Sequence, residues 1–187
     1  MSNTTHTTWT VDGAHAEVGF AVKHLMIATV RGRFGKVTGS VDRDEANPLA
    51  STIDVTVDVN SIDTRQEQRD NHLRSPDFFD AANFPTMHFV SKRLEGDLED
   101  EFRATGDLTI RGVTKEVTLD AKAEGRVRDP WGNDRAGFSA TGKISRTAFG
   151  LMWNQMLEAG GVAVGDEVKI SIDVELVHQA AQKSAAA

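Results

Sequence analysis

The sequence predicts an all-β fold, an antiparallel barrel or a sandwich. Three observations lead to this prediction. Apolar and polar residues alternate with a period of two over much of the chain, which is typical of half-buried antiparallel strands. Eight or nine such segments follow one another, separated by turn-forming residues. Only one region, about 64–82, has a helical pattern.

The strands are predicted with unequal clarity along the chain. Alternation is weaker in four segments, which the sequence places at 8–12, 17–24, 33–42 and 86–95. It is clear in five others, at 52–59, 102–110, 117–125, 138–144 and 168–176. Asn47-Pro48, Glu95-Gly96-Asp97 and the segment 129–134 supply turns between them.

The helical region is predicted to hold two short helices. Residues 66–69 are good helix formers. Ser75 and Pro76 then have the residue types of an N-cap and a first helical position, so a second helix is expected to begin there. Asn83-Phe84-Pro85 ends the segment.

Composition narrows the classes of function. The chain has 187 residues, no cysteine and a formal net charge of −7. The lack of cysteine excludes disulfides, thiolate nucleophiles and cysteine-based metal centres. The negative charge argues against nucleic acid as a partner, and no apolar run is long enough for a transmembrane segment. No secretory signal is visible in Met1–Thr10, so a cytoplasmic location is expected, or a periplasmic one if the sequence was trimmed.

The predicted inward faces of the three strands after residue 100 are rich in small side chains. Interiors pack densely, so small residues grouped on one face either leave a cavity or oppose bulky partners. Phe20, Phe34, Phe102 and Phe138 are the partners that a filled core would use. The small residues are Ala104, Gly106, Ala121, Ala123, Gly125, Ala140 and Gly142.

Few residues suggest catalysis. Asp70 and His72 on the predicted helix, or His24 at the end of a strand, would be the acid–base groups of a small pocket enzyme. Asp70 and His72 are two positions apart, which places them on different helix faces. His24 shares the parity of Phe20 and Val22. No metal site and no nucleophile or cofactor motif is visible in the sequence.

Several segments together resemble a known family. These are VDGAH at 11–15, VGFAVKH at 18–24, VRGRF at 30–34, SIDT at 61–64, RDNHLRS at 69–75, DFFD at 77–80, FP at 84–85, GDLTIRGVTK at 106–115, SRTAFGL at 145–151 and VGDEVKI at 164–170. Each motif is weak alone, but their order and spacing resemble the YceI-like family of lipocalin-like, polyisoprenoid-binding proteins.

The resemblance implies a fold and a function. It implies an extended eight-stranded antiparallel lipocalin-like β-barrel with a short helical segment covering one end. A single domain at 8–178 would form this barrel, between flexible tails at 1–7 and 179–187. It implies a homodimer and an apolar cavity that holds a polyprenyl lipid, of the prenylated quinone or polyprenyl phosphate type. No catalytic cofactor is implied.

The leading hypothesis is therefore a non-enzymatic lipid carrier or store. His24, Arg69 and Arg146 are predicted to meet a polar head group. The other residues predicted to line the site are Phe20, Val22, Phe34, Leu108, Leu119, Ala121, Phe138, Ala140 and Ile144. A small pocket enzyme and a filled-core interaction module are the competing hypotheses.

Overall fold

The structure, a computed structural model, describes residues 6–158 and 160–179. Its regular elements are ten strands and one α-helix, besides short 3-10 turns. The strands are β1 (His6–His24), β2 (Ala28–Phe34), β3 (Val37–Asp44), β4 (Thr52–Asp58), β5 (Ile62–Asp63), β6 (Thr86–Gly96), β7 (Glu101–Ile110), β8 (Val113–Arg128), β9 (Asp134–Ser145) and β10 (Val164–His178), and the helix is α1 (Glu67–Arg74).

Eight strands close into a ring. The order is β1, β3, β4, β6, β7, β8, β9 and β10, and β10 pairs with β1 again; every pairing is antiparallel. Closure leaves no open edge in this ring. The predicted eight-stranded antiparallel barrel is confirmed.

The long first strand serves two neighbours on one side. Its first part, from His6 to Thr10, pairs with β3, and its second part, from Val18 to His24, pairs with β2. The sequence predicted two strands at 8–12 and 17–24, and the structure joins them through a register shift between Val11 and Ala16. β1 also begins at His6, within the segment predicted as a tail. The rest of both predicted tails, 1–5 and 180–187, lies outside the described residues.

Two predicted boundaries need correction. The strand predicted at 33–42 is interrupted at residues 35–36, so that β2 ends at Phe34 and β3 starts at Val37. The second helix predicted from Ser75 is wrong. Ser75 is instead the C-cap of α1, and its Oγ donates to the carbonyl of His72. Turns then follow, because the amides of Asp80 and Ala81 return to the carbonyls of Ser75 and Arg74.

The barrel has two distinct ends, set by the direction of its strands. We call one the acidic end; it carries the turns at 45–51, 97–100 and 129–133. We call the other the apolar end; it carries the turns at 25–27 and 111–112 and the segment 146–163. Arg111 joins this segment to the turns after α1, since its Nη1 donates to the carbonyls of Phe78 and Gly150.

None of the helices in the described part of the chain is long and apolar enough to cross a bilayer.

Candidate functional site

The barrel encloses a cavity of about 310 Å³. Its walls run from Trp9, Leu98 and Leu176 near the acidic end to Leu151 and Val164 near the apolar end. Nearly all the surface that faces the cavity belongs to apolar atoms. This volume lies at the lower end of the range for small-molecule sites, and a surface of this kind holds ligands by apolar contact.

Small residues in the wall make the space. Ala121 of β8 lies beside Ala140 of β9 on one side and Phe102 of β7 on the other. All three line the cavity. Both alanines occupy inward positions of their strands, yet they are only half-buried, because the hollow interior leaves their side chains accessible. A methyl group in place of a large side chain leaves the volume of that side chain empty.

Aromatic rings line the remaining wall without filling the interior. Phe20 and Phe34 have ring centroids 5.6 Å apart, and Phe34 meets Phe79 edge-on at 5.7 Å. Phe102 meets Phe138 edge-on at 6.1 Å. Gly32 makes room for the ring of Phe20 beside Phe34, because a Cβ at position 32 would lie 2.4 Å from Cζ of Phe20.

Ten of the twelve residues predicted to form the site lie in the cavity wall. They are Phe20, Val22, Phe34, Leu108, Leu119, Ala121, Phe138, Ala140, Ile144 and Arg146. The structure brings them together because they occupy inward positions on β1, β2, β7, β8 and β9, with Arg146 directly after β9. His24 and Arg69 do not belong to this wall.

Arg146 is buried, at 5% exposure, and its guanidinium is engaged by the backbone. It donates to the carbonyl oxygens of Leu151 at 2.6 Å, Gly165 at 2.8 Å, Trp153 at 2.9 Å and Val164 at 3.2 Å. Burial lowers the pKa of this guanidinium from its usual value. The arginine therefore fastens the segment 151–165 over the apolar end of the barrel.

The other two predicted head-group residues lie elsewhere. His24 is exposed, because it is the last residue of β1 and stands beside the 25–27 turn; its pairing with β2 keeps the register, so its parity is not what failed. Arg69 donates from Nε to Oγ1 of Thr64 at 2.8 Å and from Nη2 to the Thr64 carbonyl at 2.7 Å. It thereby attaches α1 to the chain that precedes the helix.

The acid–base candidates are also held apart. The buried carboxylate of Asp70 accepts from the amide of Thr64 at 2.9 Å and from the hydroxyl of the same residue. His72 contacts Asp77 at 2.9 Å and packs edge-on against Trp153. Asp70 and His72 thus serve different contacts, as their spacing on the helix predicted.

Part of the wall was not predicted from the sequence. Phe89 lines the cavity from β6, a strand to which no apolar face could be assigned. A register shift between Ser91 and Arg93 explains this, because it interrupts the alternation within the strand. Val55, Ile170 and Ile172 also line the cavity, and the alternation of their strands was a sufficient signal. Phe79 reaches it from the turns after α1, where no pattern marked it.

Charges at the acidic end are paired with one another. Arg135 binds Asp12 at 2.7 Å, Asp129 at 2.6 Å and Glu175. Hydrogen bonds from Arg135 and His15 lower the pKa of Asp12 to about 2. Asp12, His15 and Glu175 bring potential metal-ligand atoms within 4.8 Å of one another. Asp12 and Glu175 both already bind the guanidinium of Arg135, so we assign the group to ion pairing.

The indole of Trp9 lies beside this network, at the acidic end of the cavity. The guanidinium of Arg126 is 5.5 Å from the ring centroid and also binds Glu99 at 2.9 Å. Trp9 Nε1 is buried and has no hydrogen-bond acceptor within the described residues. A buried donor without an acceptor is uncommon and costly.

A closed antiparallel barrel around a long apolar cavity defines a lipocalin-like protein. The chain belongs to the YceI-like family: the model of the YceI-like domain matches residues 9–176.

Similar proteins agree with this assignment. The UPF0312 protein of Enterobacter sp. strain 638 is 44% identical over 168 residues, covering 90% of this chain and 84% of that protein. The crystal structure of Burkholderia cenocepacia BcnA superimposes with a TM-score of 0.75 at 25% identity, covering 88% of this chain and 98% of that one. A polyisoprenoid-binding domain from Saccharophagus degradans, implicated in plant cell wall breakdown, shares the fold at 12% identity, with a TM-score of 0.63 and coverage of 95% and 100%.

Proposed function

We propose that this protein binds a long-chain isoprenoid lipid in the barrel cavity, without catalysis, and carries or stores it. The observation that carries the proposal is the long cavity with its almost wholly apolar wall. A polyprenyl tail has no polar groups, so an interior of this kind is sufficient to hold it. Membership of the YceI-like family supports a lipid-binding role.

Apolar transfer supplies enough energy for such binding. Each CH₂ group moved from water into the cavity contributes roughly 0.8 kcal/mol. Ordering the flexible tail offsets part of this gain, at about 0.5–1.5 kcal/mol per immobilised group of rotamers. A tail of several isoprene units retains a favourable balance, and no charged contact is needed.

Our proposal extends to a neutral head group, of the prenylated quinone type. Arg146, one of the three residues predicted to meet a polar head group, already donates to four carbonyl oxygens. At the other end, Arg43 and Arg126 share Glu99. Trp9 Nε1 is the donor that we assign to a quinone carbonyl, because the described protein offers it no acceptor. A polyprenyl phosphate, by contrast, would require one of these ion pairs or carbonyl contacts to open.

Uptake of defined lipids by variants with a filled cavity tests the proposal. Ala121→Phe combined with Ala140→Phe places two rings in the cavity wall and should reduce uptake of a prenylated quinone at least about tenfold. Ala21→Phe is the matched control, because Ala21 alternates with Phe20 and Val22 and its side chain faces outward. Native mass spectrometry after incubation measures the bound fraction.

The outcomes separate the candidate functions. Equal uptake by the double variant and the control would contradict binding in the cavity. Preferential uptake of a polyprenyl phosphate over the quinone would contradict the neutral head group while keeping the cavity. The homodimer and the cytoplasmic location stay predictions, and the mass spectrum of the intact protein tests the first of them.

A further inference from the structure

Exposed apolar side chains are concentrated at the apolar end. Five of the eight large apolar side chains that stand exposed among the described residues lie there. Leu25, Met26 and Ile27 form the β1–β2 turn, with Ile27 at 84% exposure. Met152 and Met156 belong to the segment after β9, with Met156 at 78% exposure. Contiguous apolar surface of this kind marks an interaction site more often than isolated exposed residues do.

The two segments form one surface. The amide of Leu25 donates to the carbonyl of Ala163 at 2.8 Å, which joins the β1–β2 turn to the start of β10. Cγ of Met26 lies 3.6 Å from the position that a Cβ on Gly161 would occupy. The next residue, Val162, forms a β-bridge with Met156. We call Leu25, Met26, Ile27, Met152 and Met156 the apolar tip.

Folding alone does not explain the residues of the β1–β2 turn. Leu25 and Met26 have φ angles of 51° and 62°, and Ile27 returns a hydrogen bond to His24. Two successive positive φ angles are those of a type I′ turn, in which Asn-Gly is preferred. Leucine and methionine adopt this conformation at a cost, and Met26 nevertheless remains 58% exposed.

Cations lie immediately below the tip. Lys143, Lys169, Ala21 and Arg31 are side by side across β9, β10, β1 and β2. Lys23 stands one step nearer the tip on the same outward face as Ala21. Within the described residues, Lys23, Arg31 and Lys169 form no ion pair, and Lys143 has only a 3.5 Å contact with Glu167.

The charge of the opposite end contrasts with this band. Asp97, Glu99, Asp100 and Glu101 cluster at one turn of the acidic end, and the chain as a whole carries −7. An acidic protein with a cationic band below one apolar tip has its charges arranged to orient that tip toward a negative surface.

We propose that the apolar tip docks on the surface of an anionic lipid bilayer, with Lys23, Arg31 and Lys169 facing the phosphates. The tip has the chemistry of an interfacial anchor, in which apolar side chains enter the boundary of the acyl region and flanking cations contact head groups. Lys23 is two residues from Leu25, and its long side chain reaches such a surface from there. Arg31 and Lys169 lie three ladder positions below the His24–Ala28 pair and act through the attraction of exposed charge to the anionic surface. This surface is separate from the cavity, so the proposal goes beyond the proposed function.

Flotation with vesicles tests the tip. The vesicles are phosphatidylcholine alone or phosphatidylcholine mixed with phosphatidylglycerol, without isoprenoids, so that uptake into the cavity does not contribute. Wild-type protein is expected to float with the mixed vesicles. Ile27→Asp should reduce the bound fraction at least about tenfold, since it places a charge in the apolar contact. Trp131→Asp is the matched control, because Trp131 is 82% exposed but lies at the acidic end.

A second pair of variants tests the cations. Lys23→Gln with Lys169→Gln should weaken binding to the mixed vesicles about fivefold for each cation removed. Arg103→Gln with Lys122→Gln changes the net charge equally, but at exposed positions of β7 and β8 near the acidic end, and should leave binding unchanged. Molar salt should reduce the wild-type binding toward that of the double variant, because it screens exposed charges.

Three results would overturn the proposal. The first is wild-type protein that does not float with the mixed vesicles. The second is an equal loss in Ile27→Asp and Trp131→Asp. The third is a halved molecular mass of Ile27→Asp in solution, which would show that a second copy of the chain covers the tip. Lipid uptake by the same variants is expected to be unchanged, so failure here is distinguishable from failure of the cavity proposal.

Discussion

Two arginines close the two ends of the barrel by different means. Arg135, at the acidic end, is paired with the carboxylates of Asp12, Asp129 and Glu175, and these contacts raise its pKa. Arg146, at the apolar end, donates only to backbone carbonyls, and burial lowers its pKa. Arg135 is therefore held by charged carboxylates, and Arg146 is held by neutral backbone carbonyls.

The comparison shows how a charged residue can line an apolar cavity without serving its ligand. Four carbonyl oxygens satisfy the donors of Arg146 while adding no negative charge beside the cavity. The same contacts fix an irregular segment that has few regular hydrogen bonds of its own. Arg135 instead joins β1, the 129–133 turn and β10 through side chains, where solvent and protons compete for its partners.

The largest effect is expected at Arg146. Arg146→Met removes a donor from four carbonyls, of which that of Val164 still accepts from Asn154, and should lower the free energy of unfolding by about 3–5 kcal/mol. Urea unfolding followed by circular dichroism measures this loss. If this variant does not fold, Arg146→Lys, which retains a charge but has fewer donors, should show an intermediate loss. A change below about 1 kcal/mol in the methionine variant would contradict the assigned role.

A smaller effect is expected at Arg135. Arg135→Gln removes three ion pairs; Asp12 and Glu175 stay partly exposed, so water replaces their lost contacts. Asp129 is buried but keeps its hydrogen bonds from Asn133 and from the amide of Trp131. The urea midpoint of Arg135→Gln at neutral pH should therefore fall less than that of Arg146→Met. A larger fall in the urea midpoint for Arg135→Gln than for Arg146→Met would contradict the roles assigned to the two arginines.

The smallest effect expected is a dependence of the stability loss on pH, and it should distinguish Arg135→Gln from Arg146→Met. The pKa of Asp12 is lowered to about 2, so its contribution to stability is complete above the unfolded value near ~3.9. That contribution is lost as the pH falls through about 2. The difference in stability between wild type and Arg135→Gln should therefore shrink between about pH 4 and pH 2. Arg146→Met is the comparison, since its carbonyl partners do not titrate. Its loss should change less over this range, because only the weaker Coulombic contact between Arg146 and Asp166 depends on acid.

Regular alternation in the sequence predicted both the barrel and most of the cavity wall. Leu108, Leu119 and Ile144 lie in the wall because each occupies an inward position in a stretch of strand where the period of two is unbroken. Prediction was poorer wherever a register shift interrupts that period. Gly125, expected to face inward, follows such a shift and is exposed with a φ of 122°. His24 is exposed for another reason, since it ends β1 at a turn.

The head-group residues show a second limit. Arg69 and Arg146 were identified as cations near the predicted site, and only Arg146 lies in the cavity wall. The donors of both are already engaged by contacts with the chain itself. Residue type and parity place a side chain on a face, but they do not reveal which hydrogen bonds its donors already make.

The sequence by itself determined the strand pattern, most of the inward small residues and the family, because these depend on local alternation and on the order of motifs. The tertiary structure decided that the barrel is hollow, that Arg146 donates to carbonyls, and that exposed apolar side chains of two distant segments lie at one end. Each of these depends on contacts between segments far apart in the chain. Packing, closure and register bring those segments together, and the local sequence does not encode their distances.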